Sequence, residues 1–143
     1  MPVQWTIEPD RDLVTVVAEG DVTYAELVAM VDGLRERNAH GYRKLYDGGR
    51  SRMRMTQQEV LMLGLRMRTE HERSRMGPMA AILPEVDAEI LARLLGMVAL
   101  ADRPLRIFVK RGPALKWLLA LPSAAAAGAE THALSFPHAA GGD

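Results

Sequence analysis

The densest chemistry in the chain lies in one run, Asp47-Gly48-Gly49-Arg50-Ser51-Arg52-Met53-Arg54, with Thr56 close behind. Two glycines free the backbone, arginines supply positive charge, and a helix opening at Thr56 offers unpaired backbone N–H groups, the usual ingredients of an anion site. Asp47, Gly48, Gly49, Arg50, Ser51, Arg52 and Thr56 therefore form the candidate ligand- or partner-binding set, with a phosphate or carboxylate as the natural guest. The competing reading is a solvated basic loop whose arginines pair with surface acids. An Asp at a strand end also commonly organises the next turn through backbone amides. The glycine pair is not a dinucleotide fingerprint, because the further glycine that motif requires is missing. Ser51 and Thr56 offer hydroxyls to a kinase, but a helix cap already accounts for Thr56.

Elsewhere the chemistry is sparse. The four histidines, His40, His71, His132 and His138, show no i,i+4 pairing with a carboxylate between them. His71 reads as solvated, on a helix whose Arg66 to Arg75 stretch looks laced with ion pairs. No cysteine is present, which excludes disulfides, thiol catalysis and cysteine-based zinc sites. No nucleophile–base–orienter arrangement is visible, so no catalytic residue, metal or cofactor is expected. Nine methionines are many for 143 residues. Most should fill the core, whereas Met62 and Leu65, off the apolar stripe of their helix, suit an interface.

Eighteen basic residues balance eighteen acidic ones. A neutral chain lacks the cationic surplus that nucleic acid or an anionic membrane demands. It has little charge repulsion against self-association, so a homodimer is a natural expectation. The first twelve residues do not read as a secretory signal, and no apolar run approaches the roughly 20 residues of a spanning helix. A cytoplasmic protein without membrane insertion is expected.

The elements that must position these residues read in a clear order. Val3–Ile7 alternates and Leu13–Ala18 is rich in β-branched residues, so the two form a hairpin across Glu8–Asp12. Thr23-Tyr24-Ala25-Glu26 is a capping box opening a helix with Leu27, Val31 and Leu34 on its apolar stripe. Lys44-Leu45-Tyr46 is a short strand ending at Asp47, followed by the loop Gly48–Arg52. Thr56-Gln57-Gln58-Glu59 opens a second helix to about Arg73, burying Val60, Leu63, Gly64 and Met67. Met79–Leu83 is wholly apolar, as in an internal parallel strand. A third helix carries Ile90, Leu91, Leu94, Leu95 and Val98. Leu105–Val109 is a last strand, and Pro113–Leu119 a terminal helix. The core should contain Leu27, Val31, Leu45, Ile82, Leu94 and Ile107. Residues 1–121 should form one domain and 122–143, which carry no sustained periodicity, a flexible tail. Alternating strands and helices give an α/β fold: a mostly parallel sheet of about five strands, opened by an antiparallel hairpin, with about four helices.

In this order of elements the chain resembles the SpoIIAA-like group, the STAS domains of anti-sigma-factor antagonists and the stand-alone bacterial STAS/SEC14-like proteins. The resemblance runs from about Val3 to Leu119. It rests on the opening hairpin, the helix starting at Thr23, Lys44-Leu45-Tyr46-Asp47, the helix opening at Thr56, the Ala80–Ile82 strand and the Ala114-Leu115-Lys116-Trp117-Leu118 helix. The antagonists carry Asp-Ser-Ser/Thr-Gly at the start of the helix after the aspartate strand. Here that place reads Met55-Thr56-Gln57-Gln58, which sets this chain with the stand-alone subgroup. The resemblance implies a non-enzymatic regulatory or binding domain without cofactor. It would act through a protein partner, through itself, or through a small anionic or lipid-like ligand. The alternative is a small enzyme or accessory subunit using Asp47–Thr56 as an anion site. A protein-binding module should show a flat or convex face near Thr56. A ligand carrier should show an apolar cavity of ~300 Å3 or more between sheet and helices.

Overall fold

The computed structural model describes residues 2–96 and 103–125, with 94–96 as backbone only. The element order is β1 (Val3–Glu8), β2 (Leu13–Thr23), α1 (Tyr24–Glu36), β3 (Arg43–Arg54), α2 (Gln57–Arg73), β4 (Met79–Ile82), α3 (Glu85–Gly96), β5 (Leu105–Phe108) and α4 (Arg111–Leu119), with a single 3-10 turn, Pro9–Arg11, inside the hairpin. The five strands form one sheet in the order β1-β2-β3-β4-β5, with β1 antiparallel at an edge and every other pair parallel. This is the expected α/β architecture.

Both capping boxes form. The Glu26 N–H donates to Thr23 Oγ1 at 3.3 Å while the Thr23 N–H reaches Glu26 Oε1 at 2.8 Å. Thr56 and Glu59 repeat the exchange at 3.1 and 2.9 Å. Each box satisfies helix-terminal N–H groups that would otherwise lack acceptors.

Helices lie on both faces of the sheet. On one face Leu27, Val31 and Leu34 of α1, Val60 and Leu63 of α2 and Leu91 of α3 pack against Val14, Val16, Tyr46 and Ala81. On the other, Ala114 and Leu118 of α4 cover Leu13, Leu45, Ala80 and Ile82. The alternation of side chains along a strand makes this division: Leu45 faces α4, while Lys44 and Tyr46 face α1 to α3. Leu27, Val31, Leu45 and Ile82 are buried as expected. Ile107 is only half-buried, because β5 is an edge strand, and the Leu94 side chain lies outside the described residues.

Three boundaries differ from the sequence reading. The strand expected to stop at Asp47 continues to Arg54, and β2 continues to Thr23, so the glycine-arginine loop is a strand. A bulge reconciles the two halves: Val17 pairs with Asp47 but Glu19 with Arg50, one residue more on β3 than on β2. Gly48 belongs at that bulge, since a Cβ there would sit 2.8 Å from the Tyr46 ring and 2.9 Å from Ser51 Oγ. Local glycine and charge content signalled a loop, and pairing with β2 overrode it. The third difference is the tail. Ser123 is buried and its hydroxyl donates to Asp12 at 2.9 Å, while the Ala124 and Ala125 N–H groups both donate to the Gly41 carbonyl. The body thus runs at least to Ala125; the rest of the expected tail, 126–143, lies outside the described residues.

Ile82 is 3% exposed on β4, between two partner strands. Ile82→Ala should cost ~2–5 kcal/mol through lost contacts and the cavity left behind. Urea denaturation measures this, and a loss under about half a kcal/mol would contradict an internal strand.

Candidate functional site

The Asp47–Thr56 segment does not gather its donors at one point. Asp47 accepts from the Gly49 N–H at 3.3 Å and from Arg111 at 2.9 Å, which ties the end of the β3 core to the start of α4. Ser51 is 1% exposed, and its hydroxyl is spent on the Gly48 carbonyl at 2.8 Å, holding the bulge. Arg50, Arg52 and Arg54 alternate outward along the strand. They turn to Glu19 at 3.9 Å, Asp87 at 3.6 Å and Asp21 at 3.1 Å. Thr56 caps α2. The solvated basic surface, with each arginine drawn to an acid, is what the geometry supports. Such exposed pairs contribute little each.

Titratable side chains that the sequence reading passed over are brought together on the opposite side of β3. Glu70, expected on a solvated helix, is buried and bridges two elements: Oε2 accepts from Arg35 of α1 at 2.6 Å, and Oε1 lies 3.2 Å from His40 Nε2. A carboxylate only accepts, so His40 Nε2 carries the proton, and its buried Nδ1 has no partner among the described residues. His71 is also buried rather than solvated, with Nδ1 accepting the Met76 N–H at 3.0 Å where the chain folds back after α2.

Lys44 and Arg103 are buried as well, at 2% and 8% exposure. Lys44 Nζ donates to the carbonyls of His40 and Tyr42. Arg103 Nε donates to the Gly77 carbonyl at 3.2 Å, and Nη2 lies 4.0 Å from the Met79 sulfur. Burial lowers the Lys44 ammonium well below the ordinary lysine range, and the Arg103 charge lowers it further. Burial alone pulls Arg103 down to about 10. Neither cation has a carboxylate partner among the described residues. Gly77 allows this close packing: its N–H donates to the His40 carbonyl, and a Cβ there would lie 2.3 Å from the Tyr42 carbonyl oxygen.

Both cations border a cavity of about 60 Å3 between the sheet and α1, α2 and α3. Five methionines line it: Met30, Met53, Met67, Met76 and Met79. Its free wall is apolar, with the cationic heads held behind it. Tyr46 also borders it, with a buried hydroxyl that finds no partner among the described residues. Burial, and secondarily the Glu26 charge, raise that phenol to about 12. The cavity falls short of the ~300 Å3 or more expected of a ligand carrier. A separate open groove of about 590 Å3 runs between α1 and α2, where Met62 and Leu65 are 44% and 51% exposed, as their off-stripe positions suggested.

No family model matches the chain, and no curated protein matches it. Among solved structures it is similar to an uncharacterised protein of the DUF3478 family from Shewanella loihica PV-4, described as having a SpoIIAA-like fold. The TM-score is 0.55 at 18% identity, over 81% of this chain and 93% of that one. The chain has a SpoIIAA-like fold. Within that fold the described residues contain no cluster of three or more potential metal ligands, and no helix long and apolar enough to cross a membrane.

Two outcomes follow from the SpoIIAA-like core and its surface. Burial lowers the His40 pKa below 6.5, helped by the Lys44 and Arg35 charges and opposed by the Glu70 bond. Between that folded value and 6.5 the unfolded chain binds more protons, so stability rises with pH across the window. Burial pushes Glu70 upward, but the His40 hydrogen bond and the Arg35 charge outweigh it and hold the carboxyl below 4.5. Stability from Glu70 is therefore present above 4.5 and lost as pH falls through its folded value. The melting temperature should fall in two stages on acidification, and His40→Gln should remove only the upper one. A wild-type melting temperature that stays flat from about pH 7 to about pH 5 would contradict a buried neutral His40. At the surface, sulfate should stabilise wild type and the R50A/R52A double variant equally at matched ionic strength. A wild-type-specific gain would restore the anion-site reading of that strand.

Proposed function

We propose that this is a non-enzymatic binding domain whose guest is a small lipid-like molecule held between the sheet and helices α1 to α3. The observation that carries the reading is the methionine-lined cavity. Protein interiors are close-packed, with few voids larger than a water molecule. About 60 Å3 is room for a few water-sized groups, where a single water needs roughly 10–15 Å3. Unbranched methionines on three sides can re-pack around a guest, which gives the cavity more capacity than its resting volume. A short, flexible chain suits such a site better than a rigid ring system.

A second reading, action through a protein partner or a second copy, is supported by the open α1–α2 groove with Met62 and Leu65 on its wall. The two readings are compatible, since α1 and α2 border both the cavity and the groove. The enzyme or accessory-subunit alternative drew on the Asp47–Thr56 segment as an anion site, and its arginines are drawn apart by Glu19, Asp87 and Asp21.

Straight-chain compounds test the ligand reading: butyrate, hexanoate and octanoate, with the matching alcohols. At roughly ten times its Kd, a bound compound stabilises the fold by about 1.4 kcal/mol, which a thermal melt detects. Ala81→Leu fills space at the cavity wall, where Ala81 is 6% exposed, and should remove the response. If no chain of either kind raises the melting temperature, or if Ala81→Leu responds like wild type, the reading fails.

A further inference from the structure

The geometry points to a carboxylate head group for the ligand, received by Lys44 and Arg103 at the end of the cavity where Met79 stands; this rests on the lipid-like reading above. Three observations lead there. First, two buried cations border the same cavity, and no carboxylate among the described residues compensates them. Buried charges are ordinarily paired, because leaving water without a counter-charge is expensive. Glu70, the one buried acid among the described residues, is already committed to His40 and Arg35. Arg35 and Arg66 show how this chain treats its other inter-helix cations, each of them meeting a carboxylate at 3.0 Å or less.

Second, both cations retain donors. The ammonium of Lys44 has three hydrogens and meets two carbonyls. Arg103 uses Nε on the Gly77 carbonyl, and the neighbour of Nη2 is a thioether sulfur at 4.0 Å, a weak acceptor. The planar guanidinium is shaped for two parallel bonds to a carboxylate, which a sulfur cannot supply.

Third, the Met79 sulfur lies against Arg103 Nη2, and both side chains line the cavity. The methionine side chain has three rotatable bonds and can turn aside without moving the strand. A monocarboxylate lying along the apolar wall could set its head against Arg103 in the place of the sulfur. The small resting volume favours a short chain, and a single negative charge is what one guanidinium fork accommodates. Binding a carboxylate there also raises the Lys44 pKa, since it supplies the counter-charge that burial has withheld.

Hexanoate and hexanamide, nearly identical in shape and different in charge, provide the test on the wild-type protein by calorimetric titration near neutral pH. Hexanoate should bind about tenfold or more tighter than hexanamide. Arg103→Met should erase the difference while leaving hexanamide binding within about threefold. By NMR, the Lys44 side chain should titrate at a higher pH in the presence of saturating hexanoate. Equal affinity of the two compounds for wild type, with no change at Lys44, overturns the head-group assignment and leaves the apolar cavity reading intact. Binding of neither overturns both. Acetate binding as tightly as hexanoate would instead retain the head-group site and remove the role of the apolar chain. Because the first comparison uses wild type alone, a poorly folding Arg103 variant does not spare the proposal.

Discussion

The amino-terminal half of β3 is enclosed on all sides, by β2 and β4 along its edges, by α4 over Leu45 and by α1 to α3 over Lys44 and Tyr46. A lysine in that stretch must give up its hydration whichever way it points. Its ammonium is held by the carbonyls of His40 and Tyr42, so the chain before β3 is bent to present them. The same bend carries His40 to Glu70, and through Glu70 to Arg35, so α1, α2 and the approach to β3 are locked by one polar chain. Gly77 completes it by offering its N–H to His40 and its carbonyl to Arg103, at a closeness no side chain would permit.

That polar chain and the apolar cavity depend on one another. Donors on Lys44 and Arg103 hold backbone carbonyls that would otherwise need other partners, and the methionines between them and α2 complete the wall. Filling this space with fixed, branched residues would give denser packing and a more stable core. Methionine instead leaves a surface that adapts at modest cost in order. The opposite face of the sheet shows the contrast, because Leu13, Leu45, Ile82 and Leu118 pack there with no methionine among the described buried residues.

Much of the architecture was legible from the residues. Thr23 and Thr56 announced their helices through capping boxes, and the all-apolar Met79–Leu83 announced an internal strand. Where the reading stopped short, long-range pairing overrode local composition. Gly48-Gly49 followed by alternating arginines looks like a loop until β2 is seen to run beside it as far as Thr23. The site was less legible. Asp47, Arg50, Ser51 and Arg52 attracted attention because they are polar, clustered and local, whereas the second set joins residues 30 or more positions apart: Arg35 and His40 with Glu70, Lys44 with Arg103. One signal was present in the sequence. A lysine three residues before the aspartate expected to end its strand, inside a short strand of an α/β sheet, is a buried charge in the making. No comparable signal marks Arg103, which precedes an edge strand and owes its burial to Gly77 and Met79.

The energetic consequence of a buried cation pair that meets no carboxylate among the described residues differs from that of the surface pairs around it. Arg50 with Glu19, or Arg54 with Asp21, interact through water and salt, and their loss would change the protein little. A charge opposite Lys44 and Arg103 would act where the effective dielectric is far lower. At about 4 Å and an effective dielectric near 20, one such contact is of order 4 kcal/mol, against about 1 in bulk water. Part of that is lost in desolvating the incoming anion, and the remainder is large enough to discriminate a charged from a neutral head group. An anionic guest would therefore bind most tightly where the folded chain alone is least comfortable. Affinity for the guest and the cost of burying the two cations would then have the same electrostatic origin.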